Sequence, residues 1–288
     1  MVFNLRREKM SRKKTTRELW DEFVGPFLPP THLLYAPYTE YTFKGIERGQ
    51  EIVNLLKHFR NLKEKRFLDL GCGSGGISIA FSKSGTQVVS IDIEKMYPLI
   101  ARSWAKDNNQ EIYLLRGSGL DLPFKNETFD IVSCNDVIEH VEDAKKCVKE
   151  ISRVLKPKGL VYVTCPNRIS PQIVMHDGHY ALPFESLLPR KLADIYVRAT
   201  GRASKTYVPF QPTFPKMISV FKNEGINLYS IELSLKLKSF HTPQPQNPGG
   251  KIKQKIAKKL PGLVDLYAKH TYLKWICPLW RFVGVKKE

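Results

Sequence analysis

Two carboxylates and a run of glycines carry the most chemistry in this 288-residue sequence. In FLDLGCGSGG, Asp69 stands two residues before Gly71, and Gly73, Gly75 and Gly76 follow. Glycine permits backbone conformations closed to other residues and lets the main chain approach a ligand. A helix that opens just after such a turn also presents unpaired N–H groups. The loop suits a nucleotide-like ligand. Asp92, in VVSIDIE, lies 21 residues beyond Gly71, where a carboxylate after the next strand can accept hydrogen bonds from a ribose diol. Gly71, Gly73 and Gly76 alone also satisfy the G-x-G-x-x-G of nicotinamide-dependent oxidoreductases. Asp69 separates the two readings: a dinucleotide-binding strand more usually carries an apolar residue there, and a carboxylate suits a ligand bearing an ammonium.

His176 and His179, in MHDGHYALPF, are candidates to take a proton from an acceptor or to position it. With Asp177 they could instead ligate a metal, but an open His-Asp-Gly-His loop lacks the helical spacing of familiar zinc sites, so no metal is expected. Surface or turn histidines are the plainer reading for either. Tyr35, Tyr38 and Tyr41 can form an aromatic lid or pack in the core. The five cysteines, at 72, 134, 147, 165 and 277, are odd in number and never spaced CxxC. They argue against a disulfide framework and for a reducing compartment.

These residues need elements to position them. From Arg66 to about Cys165, short β-rich runs (RFLDLG, QVVSID, EIYLLR, FDIVSC, GLVYVTC) alternate with helical stretches over 75–83, about 95–106 and 143–155. That alternation predicts an α/β fold with a parallel sheet and crossover helices. Pro157 and Gly159 supply stop and turn chemistry between the last helix and strand. Residues 1–65 read as a basic N-terminus and helical lead-in. Residues 66–240 form the main domain, with a Pro-punctuated aromatic insertion over about 166–224 that shapes a substrate site. INLYSIELSLKL, 226–237, alternates as a late strand. PQPQNPGG, within 241–250, reads as a linker to a basic, aromatic extension over 251–288.

DLGCGSG, IDIE, LPFKNETFDIVSC, DVIEHVED and EISRVLKPKGLVYVTCPN, in this order, resemble the successive motifs of class I S-adenosylmethionine-dependent methyltransferases, and most of all the branch that includes quinone-biosynthesis methyltransferases. The resemblance covers about residues 66–167 and leaves the substrate-binding part untouched. It implies a Rossmann-like, doubly wound, mainly parallel seven-stranded sheet with S-adenosylmethionine as co-substrate. It further implies that Asp69 and the Gly71, Gly73 and Gly75 backbone hold the methionine end, that Asp92 binds the ribose and that Ile93 lines the adenine slot. Asn135 falls where similar chains line the pocket near the sulfonium. His140 occupies a position often held by histidine in such enzymes, as a catalytic group or as the opening of the next helix. One departure is Gly117-Ser118-Gly119, where similar proteins read Gly-Asp-Ala; Ser118, beside Gly119, can still accept a hydrogen bond from adenine but without charge assistance.

Hydrophobic residues make up 42% of the chain, enough for a sizeable core and against wholesale disorder. No run approaches the ~20 apolar residues of a membrane span, and no secretory signal follows the basic start, so a cytoplasmic protein is expected. The formal charge of +18 is concentrated at the ends: residues 1–20 hold seven basic and two acidic residues, and residues 251–288 hold ten and two. Such ends suit an anionic membrane surface or RNA, or are solvated while their aromatics dock on the main domain. The expected activity is methyl transfer to oxygen, nitrogen or carbon of a small or lipid-linked acceptor. The rivals are an RNA (tRNA) methyltransferase, a nicotinamide-dependent oxidoreductase and a non-catalytic scaffold. Oligomeric state is not legible.

Overall fold

The computed structural model describes residues 14–203, 212–234, 262 and 266–288. The basic stretch 1–13, the 241–250 linker, most of the tail to residue 265 and part of the insertion (204–211) lie outside the described residues. The five β-rich runs become parallel strands: β1 (Arg66–Leu70), β2 (Gln87–Asp92), β3 (Tyr113–Arg116), β4 (Phe129–Asn135) and β5 (Leu155–Pro166). With β6 (Ile226–Ser230) and β7 (Leu279–Lys286) they make a seven-stranded sheet in the order β3-β2-β1-β4-β5-β7-β6, in which β7 runs antiparallel to both its neighbours.

Alternate side chains of each strand enter different layers, as the two-residue period of a pleated strand requires. Phe67, Ile131 and Val283 face α3 (Gly45–Leu56) and α4 (Gly76–Lys83), packing with Ile52, Val53, Leu56 and Phe81. Their neighbours Leu68, Val132 and Phe282 face the other layer, built from α6 (Ala144–Val154) and α9 (Phe214–Asn223) through Val148, Ile151, Val220 and Phe221. Of the lead-in helices α1 (Thr16–Val24) and α2 (Tyr35–Phe43), the first buries Trp20 and Val24 against Ile100 of α5 (Tyr97–Asp107). The strand order reverses between β1 and β4, so a crevice opens at the carboxyl ends of these two strands.

Three sequence expectations change. The insertion expected over 166–224 gives up its end from Phe214 on: α9 is a core crossover helix, with Met217 and Phe221 fully buried. What remains includes α7 (Pro171–Met175), a short turn at Glu185–Leu187 and α8 (Arg190–Ala199). The late strand over 226–237 stops at Ser230, where residues 231–234 turn helical; residues 235–237 are outside the described set. Finally, the segment 279–286, grouped by composition with the extension, is β7 itself, inserted between β5 and β6. Trp280 and Phe282 are fully buried, and the Trp280 indole N–H donates to the Leu273 carbonyl at 2.8 Å. For 279–286, docking on the main domain is therefore the arrangement found, driven by burial gains of about 1.5–3 kcal/mol per large apolar side chain.

Candidate functional site

The glycine loop joins β1 to α4. Gly71, Gly73 and Gly75 all have positive φ, at 70°, 50° and 86°. The first is pinned when its N–H donates to the Ile91 carbonyl at 2.8 Å. A Cβ on Gly71 would lie 2.3 Å from a Val137 methyl, so the chain after β4 rests directly on the loop. Gly76 is needed for another contact, because a Cβ there would strike the Gly45 backbone of α3 at about 2.5 Å. Gly73 differs from both: its N–H donates to Asp92 Oδ2 at 2.8 Å, and a Cβ there would meet nothing within 4 Å. Its free side is an open cradle lined by main chain at the start of α4, whose N-cap Gly75 offers no side chain to the first-turn N–H groups.

Asp92 ends β2 nearly buried. Each of its carboxylate oxygens accepts one backbone N–H, Oδ2 from Gly73 and Oδ1 from Glu94 at 2.9 Å, and retains capacity for another donor. Burial raises its pKa, against the hydrogen bonds from Glu94 and Gly73. Beside it, Tyr38 and Tyr97 share a hydrogen bond of 2.6 Å. Ile93 is exposed, and Ser118 and Gly119 are half-buried in the loop after β3, tied to Asp92 through the Gly117 N–H donating to the Asp92 carbonyl at 2.9 Å. The Ser118 hydroxyl accepts from the Leu120 N–H at 3.1 Å.

Asp69 sits deeper than its motif position implies. Its side chain is on the α3/α4 face of β1, 1% exposed, and accepts from the Ser78 hydroxyl at 2.5 Å, which in turn pairs with the Ser90 hydroxyl at 2.8 Å. Burial pushes its carboxyl up to about 7 against the Ser78 hydrogen bond, with the neighbouring Asp92 charge adding to the rise. A carboxyl poised there can carry a proton or release it, according to what charge arrives above it.

The second cluster lies past β4 and β5. Asn135 ends β4, and its amide donates to Asp136 Oδ2 at 3.2 Å; Asp136 also accepts from the hydroxyls of Thr164 and Tyr41. Arg48 stacks its guanidinium on the Tyr41 ring, 3.7 Å from the centroid. Of the three lead-in tyrosines, Tyr41 thus reaches this cluster and Tyr38 the Asp92 end, while Tyr35 is core and donates to Asp21 at 2.6 Å.

His140 and His179, 39 positions apart, meet edge to face with ring centroids 5.1 Å apart. His179 Nδ1 lies 3.0 Å from Asp177 Oδ1, and Asp177 Oδ2 accepts the N–H groups of His179 and Tyr180. Burial alone would raise Asp177, but the hydrogen bond and charge of His179 hold it below the usual carboxylate range. His176 is exposed at the end of α7 and is not gathered with the other two. Sequence reasoning missed Glu139, which is 2% exposed beside His140 and raised by burial and then by Asp136. The acidic residue in DVIEHVED was its only signal, and nothing in that run distinguishes it from a surface helix start.

Comparison with known proteins agrees with this frame. Residues 68–163 match the methyltransferase-domain family model. An uncharacterized methyltransferase, YcgJ, from Bacillus subtilis is 32% identical over 117 residues, covering 40% of this chain and 46% of the relative. A ubiquinone biosynthesis O-methyltransferase of Rickettsia canadensis is 28% identical over 124 residues, covering 43% and 52%. The chain thus spans about half the length of these curated relatives. The crystal structure of the Bacillus YcgJ protein superposes with a TM-score of 0.52 at 20% identity, covering 84% of this chain and 99% of that one. No helix among the described residues is long and apolar enough to cross a membrane. Its ordered motifs, strand order and matched family model identify this chain as carrying a class I S-adenosylmethionine-dependent methyltransferase domain.

Proposed function

We propose that the protein transfers a methyl group to an oxygen, nitrogen or carbon atom of a small or lipid-linked acceptor. The observation that carries this reading is the open cradle at Gly73, bounded by the helix start of α4 on one side and by the Asp92 carboxylate on the other. These residues fit S-adenosylmethionine, which supplies an electrophilic methyl on a sulfonium. Asp92 accepts the ribose hydroxyls with its remaining lone pairs, and the Gly71–Gly75 backbone admits the methionine portion without a side chain in the way. Asp69 answers the ligand's ammonium from below the loop. Ile93 covers the adenine, and Ser118 with Gly119 borders it. Asn135 lines the approach to the reacting carbon.

Displacement at a sulfonium makes a neutral leaving group, so the chain's main tasks are alignment and exclusion of water. A hydroxyl or ammonium acceptor must also lose a proton. His140 and His179, the latter steadied by Asp177, stand on the loops past β4 and β5 where such a proton would be received, worth about 10²–10⁴ in rate for a well-placed base. The lipid-linked side of the proposal draws on the Rickettsia relative's name and on the remaining insertion. There Met175, Phe184, Leu187, Leu192 and Ile195 are exposed on consecutive elements beside Arg190 and Lys191, a mixture suited to an apolar chain or an anionic lipid surface.

Calorimetry with S-adenosylhomocysteine tests the cofactor assignment: wild type should bind, and Asp92→Ala should bind at least several-fold more weakly. A folded wild type that does not bind rejects the reading. Labelled S-adenosylmethionine, incubated with separate lipid, RNA and small-molecule fractions, then identifies the acceptor class. Label entering RNA alone replaces the small or lipid-linked acceptor with a nucleic acid.

A further inference from the structure

We propose that Arg168, together with Glu185 and Arg190, forms a subsite for the phosphate monoester group of an apolar acceptor whose body lies against Phe184. The proposal rests on the methyl-transfer reading and names the chemistry of its acceptor. Arg168 stands two residues past the end of β5, at the same end of the sheet as the Gly73 cradle. Its loop is fixed from both sides: the buried Asn167 amide donates to the Lys274 and Cys277 carbonyls at 3.1 and 2.9 Å, and the buried Ser186 hydroxyl donates to the Arg168 carbonyl at 2.7 Å. Arg168 itself is half-buried, its Nε is sealed from water with no acceptor, and no carboxylate forms an ion pair with it among the described residues. A guanidinium stays charged at any physiological pH, so a partly dehydrated one calls for an anion.

The surroundings narrow the kind of anion. Glu185 is fully buried, and its Oε1 accepts from Arg190 Nη2 at 2.5 Å. Burial, and then the neighbouring Arg190 charge, lower the Arg168 guanidinium from its ordinary value against the pull of Glu185, so this carboxylate compensates the two cations incompletely. Its second oxygen, Oε2, is sealed with no donor. The two orphaned atoms are complementary in kind: Arg168 lacks an acceptor and Glu185 lacks a donor. A singly protonated phosphate monoester supplies both, its oxygens to the guanidinium fork and its O–H to the carboxylate, whereas a carboxylate ligand has no proton to give. Phe184, immediately before Glu185, indicates what carries the phosphate. Its φ of 63° lies in the left-handed region that a bulky residue rarely adopts, and its N–H donates to the Val174 carbonyl at 2.6 Å. In this conformation the ring is 54% exposed, with Leu187 of the following turn 43% exposed. A strained backbone that holds an aromatic ring in water beside a basic cluster suits an amphiphile, its apolar body on the ring and its charged head on the arginine.

The test uses the full chain and calorimetry with hexyl phosphate, inorganic phosphate and 1-hexanol as separate probes. Hexyl phosphate should bind once per chain, at least about tenfold more tightly than either of the other two, since head and tail each add contacts. Arg168→Gln should weaken it at least about tenfold, and Arg168→Lys should recover only part of that loss, because an ammonium lacks the planar fork. Phe184→Ala should narrow the gap between hexyl phosphate and inorganic phosphate by removing the contact to the apolar tail. Lys57→Ala, at the exposed end of α3, should leave the affinity unchanged. Circular dichroism melting checks that each variant folds; if Arg168→Gln does not, Arg168→Lys serves in its place. The proposal is overturned if hexyl phosphate binds no better than either control, if the Arg168 variants leave its affinity intact, or if phosphatidylglycerol vesicles are bound and the soluble probe is not. A chain that binds S-adenosylhomocysteine but not hexyl phosphate sinks this inference and spares the methyl-transfer reading. One that binds hexyl phosphate through Arg168 but no S-adenosylhomocysteine sinks that reading while the phosphate site stands.

Discussion

Cofactor binding should be proton-linked through Asp69. Its carboxyl sits at about 7 in the free protein, so it is about nine-tenths ionised at pH 8 and about one-tenth at pH 6. An ammonium brought over the glycine loop returns it to the charged form. Affinity for S-adenosylhomocysteine should then fall about tenfold from pH 8 to pH 6, with about 0.9 proton released per ligand at pH 6 and about 0.1 at pH 8. Calorimetry in buffers of different ionisation enthalpy measures both quantities. The sign for stability is opposite. Because the folded-state value is raised above the ordinary 3.8, the folded chain binds the proton more tightly than the unfolded one. Stability therefore falls as pH rises from about 4 to about 7, by an amount on the order of 4 kcal/mol at roughly 1.4 kcal/mol per unit. Asp69→Asn removes both effects and should be more stable than wild type at pH 8. A pH-independent affinity in wild type, or the same pH dependence retained in Asp69→Asn, would refute the reasoning.

Gly73→Ala and Gly71→Ala should separate binding from folding. Both carry the cost of a positive φ, roughly 1 kcal/mol or more for a non-glycine residue, but only Gly71→Ala also meets Val137 at 2.3 Å. The Gly73 variant should lose only the positive-φ cost in denaturation while losing at least tenfold in S-adenosylhomocysteine affinity; the Gly71 variant should lose clearly more stability than that. Trp280→Ala should destabilise by about 3–5 kcal/mol in urea unfolding, because the indole is fully buried and its N–H is satisfied by Leu273. A loss below about 0.5 kcal/mol, ordinary for surface sites, would mean that β7 is not a structural strand.

The parts of this molecule legible in the sequence are those where local chemistry and tertiary role coincide. The strand runs and the glycine turn could be read because the inner parallel strands β1, β4 and β5, buried on both faces, are apolar along most of their length, and a cofactor loop needs glycine whatever surrounds it; β3, at the exposed edge, was legible only from its place in the alternation. β7 could not be read. In LWRFVGVK the aromatics alternate with Arg281 and Gly284, and a basic, proline-broken stretch surrounds them, so composition points to a surface. Only the sheet shows that Arg281 is paired with Glu232 while Trp280 and Phe282 fill one layer. The same limit explains Asp69 and Glu139. A motif gives the position of a carboxylate along the chain but not which face of the strand or loop it leaves from. Asp69 turns toward Ser78 inside the α3/α4 layer, and Glu139 turns inward where a helix-opening residue would face water. His140 and His179 are separated by two helices and a strand, and their meeting follows from β4 and β5 lying side by side, a pairing that no spacing rule in either motif contains. Buried, partner-poor carboxylates are thus the features least visible to motif reading. They are also where a fold that needs only apolar layers would have placed something else, and so they mark where this chain's particular chemistry is to be sought.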